Sequence, residues 1–163
     1  MNDKFDNWNK LKQKLQNKEI ISFKQGEIYF MSVGQNIGYE IYGKKELYLR
    51  PVLVYRKLSK QTFVGIPLSS KEKDGTYFFT FRYTNKTLST ALLNQIRVFD
   101  IKRHAYYDGR IKLSDLKQIE IKLLDLLKVT SQKGKFGHSS KKLPKDNGSI
   151  SKDNNNVKDK QNE

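Results

Sequence analysis

The chain has 163 residues, a formal net charge of +15 and no cysteine, which excludes a disulfide framework and any cysteine-based metal site. No apolar run approaches the roughly 18 residues needed to span a bilayer, and the N-terminus lacks the basic-then-apolar order of a secretion signal, so a soluble, cytoplasmic protein without a membrane partner is expected. Residues 131–163 carry eight lysines against three aspartates and one glutamate, a net +4 that leaves +11 on residues 1–130; the excess therefore belongs mainly to the part able to fold, where it draws polyanions at long range.

Residues 1–21 read as an N-terminal amphipathic helical extension. Phe5, Trp8, Leu11 and Leu15 fall at i, i+3, i+6 and i+10, a narrow stripe expected to dock on the main domain or a sister subunit rather than on a membrane. Residues 22–130 form the main domain. A first strand is predicted over Glu27 to Val33, then a long loop from Gly34 to Leu49 that holds three glycines, of a length that marks a candidate functional loop. Pro51 to Arg56 is the second strand, with Pro51, which lacks an amide proton, at its first residue and Arg50 at the strand entrance. Thr62 to Leu68 is the third, with Pro67 suggesting an edge or a bulge. Thr76 to Tyr83 is an aromatic strand, Thr90 to Asp100 supplies one or two more, and Asp108-Gly109 reads as a turn.

A helix follows, with Ser114 as its cap, Asp115 in its first turn, and Leu116, Ile119, Leu123, Leu126 and Leu127 on the face that packs inward. Short strands at close spacing favour a small barrel, so the fold class is mainly β with α. Residues 131–163 are almost devoid of apolar side chains and read as a disordered polar tail.

Several chemistries drop out. Gly38 to Lys44 has the glycine and lysine spacing of a P-loop, but Lys45 stands where a magnesium-binding Ser or Thr is required and no helix pattern follows. The only histidines are His104 and His138, so zinc ligation and a histidine acid–base pair are unsupported. No metal and no cofactor is expected. Polar residues near strand ends remain. If the second and third strands pair as a hairpin, Arg50 and Ser69 become neighbours, with Ser70 beside them and the loop carrying Glu40, Lys44 and Lys45 above. Gln95 and Arg97 alternate with apolar residues further on. Such a set suits RNA cleavage without metal. The ribose 2′-hydroxyl is the nucleophile, and a fixed arginine and a hydroxyl stabilise the phosphorane charge. A loop carboxylate, Glu40 or Glu46, takes the proton.

These residues resemble the MazF/PemK toxins of type II toxin–antitoxin modules. The matching pieces run in order: Gly26-Glu27-Ile28-Tyr29-Phe30, Gly38-Tyr39-Glu40 with Gly43, Arg50-Pro51-Val52-Leu53-Val54, Ile66-Pro67-Leu68-Ser69-Ser70, Ala91-Leu92-Leu93-Asn94-Gln95-Ile96-Arg97 and Asp100-Ile101-Lys102-Arg103. The resemblance implies an SH3-like barrel, a homodimer, and a metal-independent endoribonuclease that leaves 2′,3′-cyclic phosphate and 5′-hydroxyl ends on single-stranded RNA or mRNA. It places catalysis on Arg50, Ser69 and Glu40, preferring Glu40 to Glu46, and RNA contacts on Lys44, Lys45, Ser70, Gln95 and Arg97. It implies an antitoxin partner with an acidic, disordered segment, and DNA binding only through that complex. The loop is longer than in the shortest family members, and Tyr39 stands where the family often has Ser. The competing reading keeps the barrel without catalysis, as a nucleic-acid binder or a gyrase-poisoning toxin.

Overall fold

The computed structural model describes residues 3–83 and 88–128, which belong to one unit, Met1–Val129. The predicted disordered tail, 131–163, lies outside the described residues. The elements are α1 (Asp3–Gln16), β1 (Glu27–Ser32), β2 (Leu49–Lys57), β3 (Thr62–Ser69), β4 (Phe78–Phe81), β5 (Ser89–Leu92), β6 (Arg97–Asp100), β7 (His104–Arg110) and α2 (Leu113–Leu127). Short 3₁₀ turns at Leu93–Gln95 and Ile101–Arg103 flank β6. The protein is thus mainly β with a helix at either end of the described chain.

The seven strands form an antiparallel sheet in the order β4-β5-β3-β2-β1-β7, with β6 also pairing to β3. β3 is the pivot. Its first half, Thr62 to Gly65, pairs with β6, and its end, Leu68 and Ser69, pairs with β5. The change of partner falls at Ile66-Pro67, so the proline occupies a break in the ladder of a central strand, not an edge strand. Gly65 is required beside that break. A Cβ there would lie 2.6 Å from the Phe99 ring and 2.8 Å from Val52.

Successive residues of β2 serve opposite faces, as the pleat dictates. Leu53 joins Ile28, Ile66, Leu68, Leu93 and the α2 residues Leu116, Ile119 and Leu123 in one core. Val52 and Val54 join Phe23, Met31, Phe63, Phe99 and Ile101 in a second. Burial on both faces explains the unbroken apolar run at Val52-Leu53-Val54.

Four local expectations are corrected. β2 begins at Leu49, so Arg50 lies inside the strand, paired with Met31, and Pro51 opens only the stretch paired to β3. Asp108-Gly109 is not a turn. It belongs to β7, whose register against β1 jumps from Gly109 to Tyr107 and from Tyr106 to His104, leaving Asp108 and Ala105 as bulged residues. Helix α2 starts earlier, with Lys112 as N-cap and no side-chain cap bond, so Ser114 sits within its first turn. Leu127 is exposed, whereas Leu116, Ile119 and Leu123 pack inward.

Candidate functional site

The loop after β1 is folded back on itself. Gly43 donates to the Gly34 carbonyl at 2.8 Å, and Lys44 and Leu49 exchange two backbone bonds of 2.9 Å. The intervening turn is closed by the Tyr48 amide on the Lys45 carbonyl at 3.1 Å. Lys44 and Lys45 therefore sit on a fixed turn directly preceding β2.

Arg50 lies beneath this turn and is only 8% exposed. Its Nε donates to the Tyr42 carbonyl at 2.8 Å and its Nη1 to the Leu68 carbonyl at 3.2 Å. One bond ties it to the loop and the other to the end of β3. Burial draws its pKa below the ordinary arginine value, with Tyr42 opposing that shift; a guanidinium nonetheless stays charged in water near neutrality. Two carbonyls consume part of its donor fork, and Arg50 lines a cleft of about 260 Å³. That cleft is walled by Lys44, Lys45, Leu49, Pro51, Leu68, Ser70, Phe30 and Tyr106. One buried and two exposed cations with almost no counter-charge in the lining make it a site for an anion.

The β2–β3 register pairs Val52 with Pro67; carried two residues further, it sets Arg50 opposite Ser69, at the same end of the hairpin. Ser69 ends β3 opposite Thr90 of β5, and its Oγ accepts from the Lys71 amide at 3.1 Å. Ser70 follows, exposed, on the cleft wall. Arg50, Ser70, Lys44 and Lys45 thus share one cleft, with Ser69 adjoining it.

Glu40, Gln95 and Arg97 gather around the loop instead. The Gln95 side chain accepts from the Ile41 amide at 2.9 Å and donates to the Tyr39 carbonyl at 3.4 Å. Arg97 donates to the Val33 carbonyl at 2.9 Å and lies over the Phe99 ring. Burial and the neighbouring Arg103 lower the Arg97 pKa, while the Glu40 carboxylate raises it. Glu40 itself is exposed, and its Oε2 accepts from the Ile37 amide at 3.3 Å. Glu46 is exposed in the turn between Lys45 and Tyr48.

The sequence reading missed Phe30 and Tyr106. Their rings stack across β1 and β7 with centroids 4.7 Å apart, and they form one wall of the cleft. The aromatic pairs Tyr29-Phe30 and Tyr106-Tyr107 stand in the sequence, but the bulges of β7 hide the pairing that joins them. Among the described residues no group of three or more His, Cys, Asp or Glu is placed to hold a metal, and no helix is long and apolar enough to cross a membrane.

Fold and site together define a small antiparallel β-domain, capped by a helix, with a cationic cleft at one sheet end. The family model for the PemK-like, MazF-like toxins of type II toxin–antitoxin systems matches residues 24–127, and the chain belongs to that family. Among solved structures, MazF (Form-I) from Deinococcus radiodurans aligns with a TM-score of 0.53 at 19% identity, covering 66% of this chain and 97% of that one. MazE-MazF (Form-II) from the same organism gives 0.49 at 16% identity, over 68% and 99% of the two chains. An endoribonuclease in complex with its cognate antitoxin from Mycobacterial species gives 0.48 at 13%, over 67% and 98%. No curated protein is matched by this sequence.

Proposed function

We propose that the protein is the toxin of a type II toxin–antitoxin module and acts as a metal-independent endoribonuclease on single-stranded RNA. The observation that carries this reading is Arg50, a buried guanidinium pinned by the Tyr42 and Leu68 carbonyls while facing a cleft lined by Lys44 and Lys45. The lysines attract the RNA backbone. Arg50 meets a non-bridging oxygen of the scissile phosphate through its free donors, and Ser69, with Ser70, supplies hydroxyl donors. The ribose 2′-oxygen attacks phosphorus as Glu40 accepts its proton. The P–O5′ bond breaks, the departing oxygen is protonated, and the ends are a 2′,3′-cyclic phosphate and a 5′-hydroxyl. Glu40 stands in the exposed turn closed by its own amide on the Ile37 carbonyl, outside the cleft lining, and catalytic contacts commonly tighten only with substrate bound. The stacked Phe30 and Tyr106 offer a surface on which an unpaired base can lie.

Gln95 and Arg97 shape the RNA path through the loop that they hold. A homodimer, a cytoplasmic site of action and an antitoxin bearing an acidic disordered segment complete the reading; the positive net charge suits such a partner, and DNA is met only through the complex.

Purified protein incubated with a long RNA in EDTA should give discrete fragments with 5′-hydroxyl ends. RNA left intact across a broad panel, yet retarded on a native gel, would favour a non-catalytic binder or a gyrase poison on the same barrel. Glu40→Gln should lower the cleavage rate about 100-fold or more, and Glu46→Gln should leave it near wild type; the opposite ranking would move the base to Glu46.

A further inference from the structure

Helix α1 lies before the stretch that the family model matches, 24–127, yet it is tied to the loop over the cleft. Among its described side chains only Trp8 is buried, 7% exposed, and it is the single tryptophan of the chain. The indole lies 5.5 Å from the Tyr48 ring, and the Arg103 guanidinium stands over the indole itself, 5.4 Å from the ring centroid. Gly34 abuts it directly: a Cβ there, at φ +105°, would lie 2.6 Å from the indole ring. The Tyr48 hydroxyl donates to the Lys4 carbonyl at 2.6 Å. The helix therefore grips the loop at both ends, Gly34 where it leaves β1 and Tyr48 where it enters β2.

Tyr48 also holds an unusual backbone. Its φ is 50°, a left-handed conformation that a bulky residue keeps only when its surroundings impose it. Here the Val33 amide binds its carbonyl at 2.9 Å, and α1 holds its ring. Two further ties secure the other end of the helix, the Lys102 ammonium on the Gln16 carbonyl at 2.8 Å and the Lys18 ammonium on the His104 carbonyl.

We propose that α1 is a built-in brace for the loop, with Trp8 and Tyr48 as positioning residues. They fix the turn carrying Lys44 and Lys45, and through it the Tyr42 carbonyl that orients Arg50. Its kinetic consequence rests on the RNA-cleaving reading; its effect on loop order does not. Without the brace the loop regains conformational entropy, and a displacement of about 1 Å at a reacting centre is enough to lower turnover up to about 100-fold.

The test uses the full chain with Trp8→Ala, Trp8→Phe and Tyr48→Phe, read by hydrogen exchange and by cleavage kinetics. In Trp8→Ala the amides of Gly43, Lys44, Tyr48 and Leu49, all bonded within the loop, should exchange at least about tenfold faster, while those of Val52 to Val54 stay protected. Its kcat should fall about 10- to 100-fold with KM changing less. Trp8→Phe should restore most of both effects, and Tyr48→Phe should show a weaker form of the loosening. Unchanged loop exchange in Trp8→Ala and in Tyr48→Phe would overturn the brace, and a loosened loop with undiminished kcat would overturn the positioning of Arg50 through it. Should the wild-type chain cut no RNA, the nuclease reading fails on its own, and the exchange data still decide whether the helix orders the loop. A Trp8→Ala chain that does not fold leaves the decision to Tyr48→Phe, which removes only one hydroxyl.

Discussion

The two helices use the same sheet in different ways. Helix α2 drives Leu116, Ile119 and Leu123 into a core shared with β1, β2 and β3; three such side chains contribute on the order of 1.5–3 kcal/mol each. Helix α1 buries one ring, and that ring meets a loop and a glycine more than it meets a core. The first helix in this comparison lies within the stretch matched to the family and the second lies before it. Helix α1 thus packs on the domain without entering either core, and what it touches is the loop over the cleft.

The largest test of this contrast is Ile119→Ala. Ile119 is fully buried, and the truncation should cost about 2–5 kcal/mol of unfolding free energy, measured by urea denaturation, with cleavage per folded molecule unchanged at low temperature. Trp8→Ala removes a buried ring and should cost a comparable amount, but unlike Ile119→Ala it should also impair turnover per folded molecule. Equal turnover per folded molecule in both variants would dissolve the distinction between a core helix and a bracing helix.

A smaller effect is expected at Gly34. Gly34→Ala forces a methyl group against the indole at a positive φ and should destabilise by about 1–3 kcal/mol. It should also reproduce the loop loosening of Trp8→Ala. Exchange rates in the loop identical to wild type would show that the helix and the loop are not coupled through this contact.

The smallest is a pH effect near the C-terminal end of α1. His104 is half-buried; burial lowers its pKa from 6.5, its bond to the Ile101 carbonyl opposes this, and the Lys18 ammonium reinforces the lowering. The unfolded chain then binds more protons than the folded one just below pH 6.5. The neutral histidine's contribution is therefore full above that value and is lost as pH falls through the folded pKa. Thermal unfolding of His104→Gln should show a flatter slope with pH in that window, and a slope equal to wild type would remove His104 as its source.

Much of the sheet was legible because Val52-Leu53-Val54 and Phe63-Val64 are runs that only a strand buries well. Arg50 was conspicuous for its place before Pro51. Its setting was not, since the sequence cannot show that the guanidinium turns inward onto the Tyr42 and Leu68 carbonyls. Because of that burial, Arg50→Ala removes a donor from each of two carbonyls and weakens the fold. Asp108-Gly109 reads as a turn from the dipeptide alone, and the strand β7 around it is hidden because two bulges break its alternation. The Phe30–Tyr106 wall was hidden for the same reason. The resemblance places Gln95 at the substrate; the 3₁₀ turn Leu93–Gln95 also brings its side-chain amide to the loop backbone, an outcome that no period-two pattern encodes.

The most direct test of the site is Arg50→Lys, compared with the wild-type chain on one end-mapped RNA. A lysine keeps the charge but lacks the planar fork that binds two carbonyls and still faces an anion. Cleavage slowed about 100-fold or more, with a native circular dichroism spectrum and RNA binding largely kept, is the predicted result. Cleavage at the wild-type rate would contradict the assignment of Arg50 to the scissile phosphate.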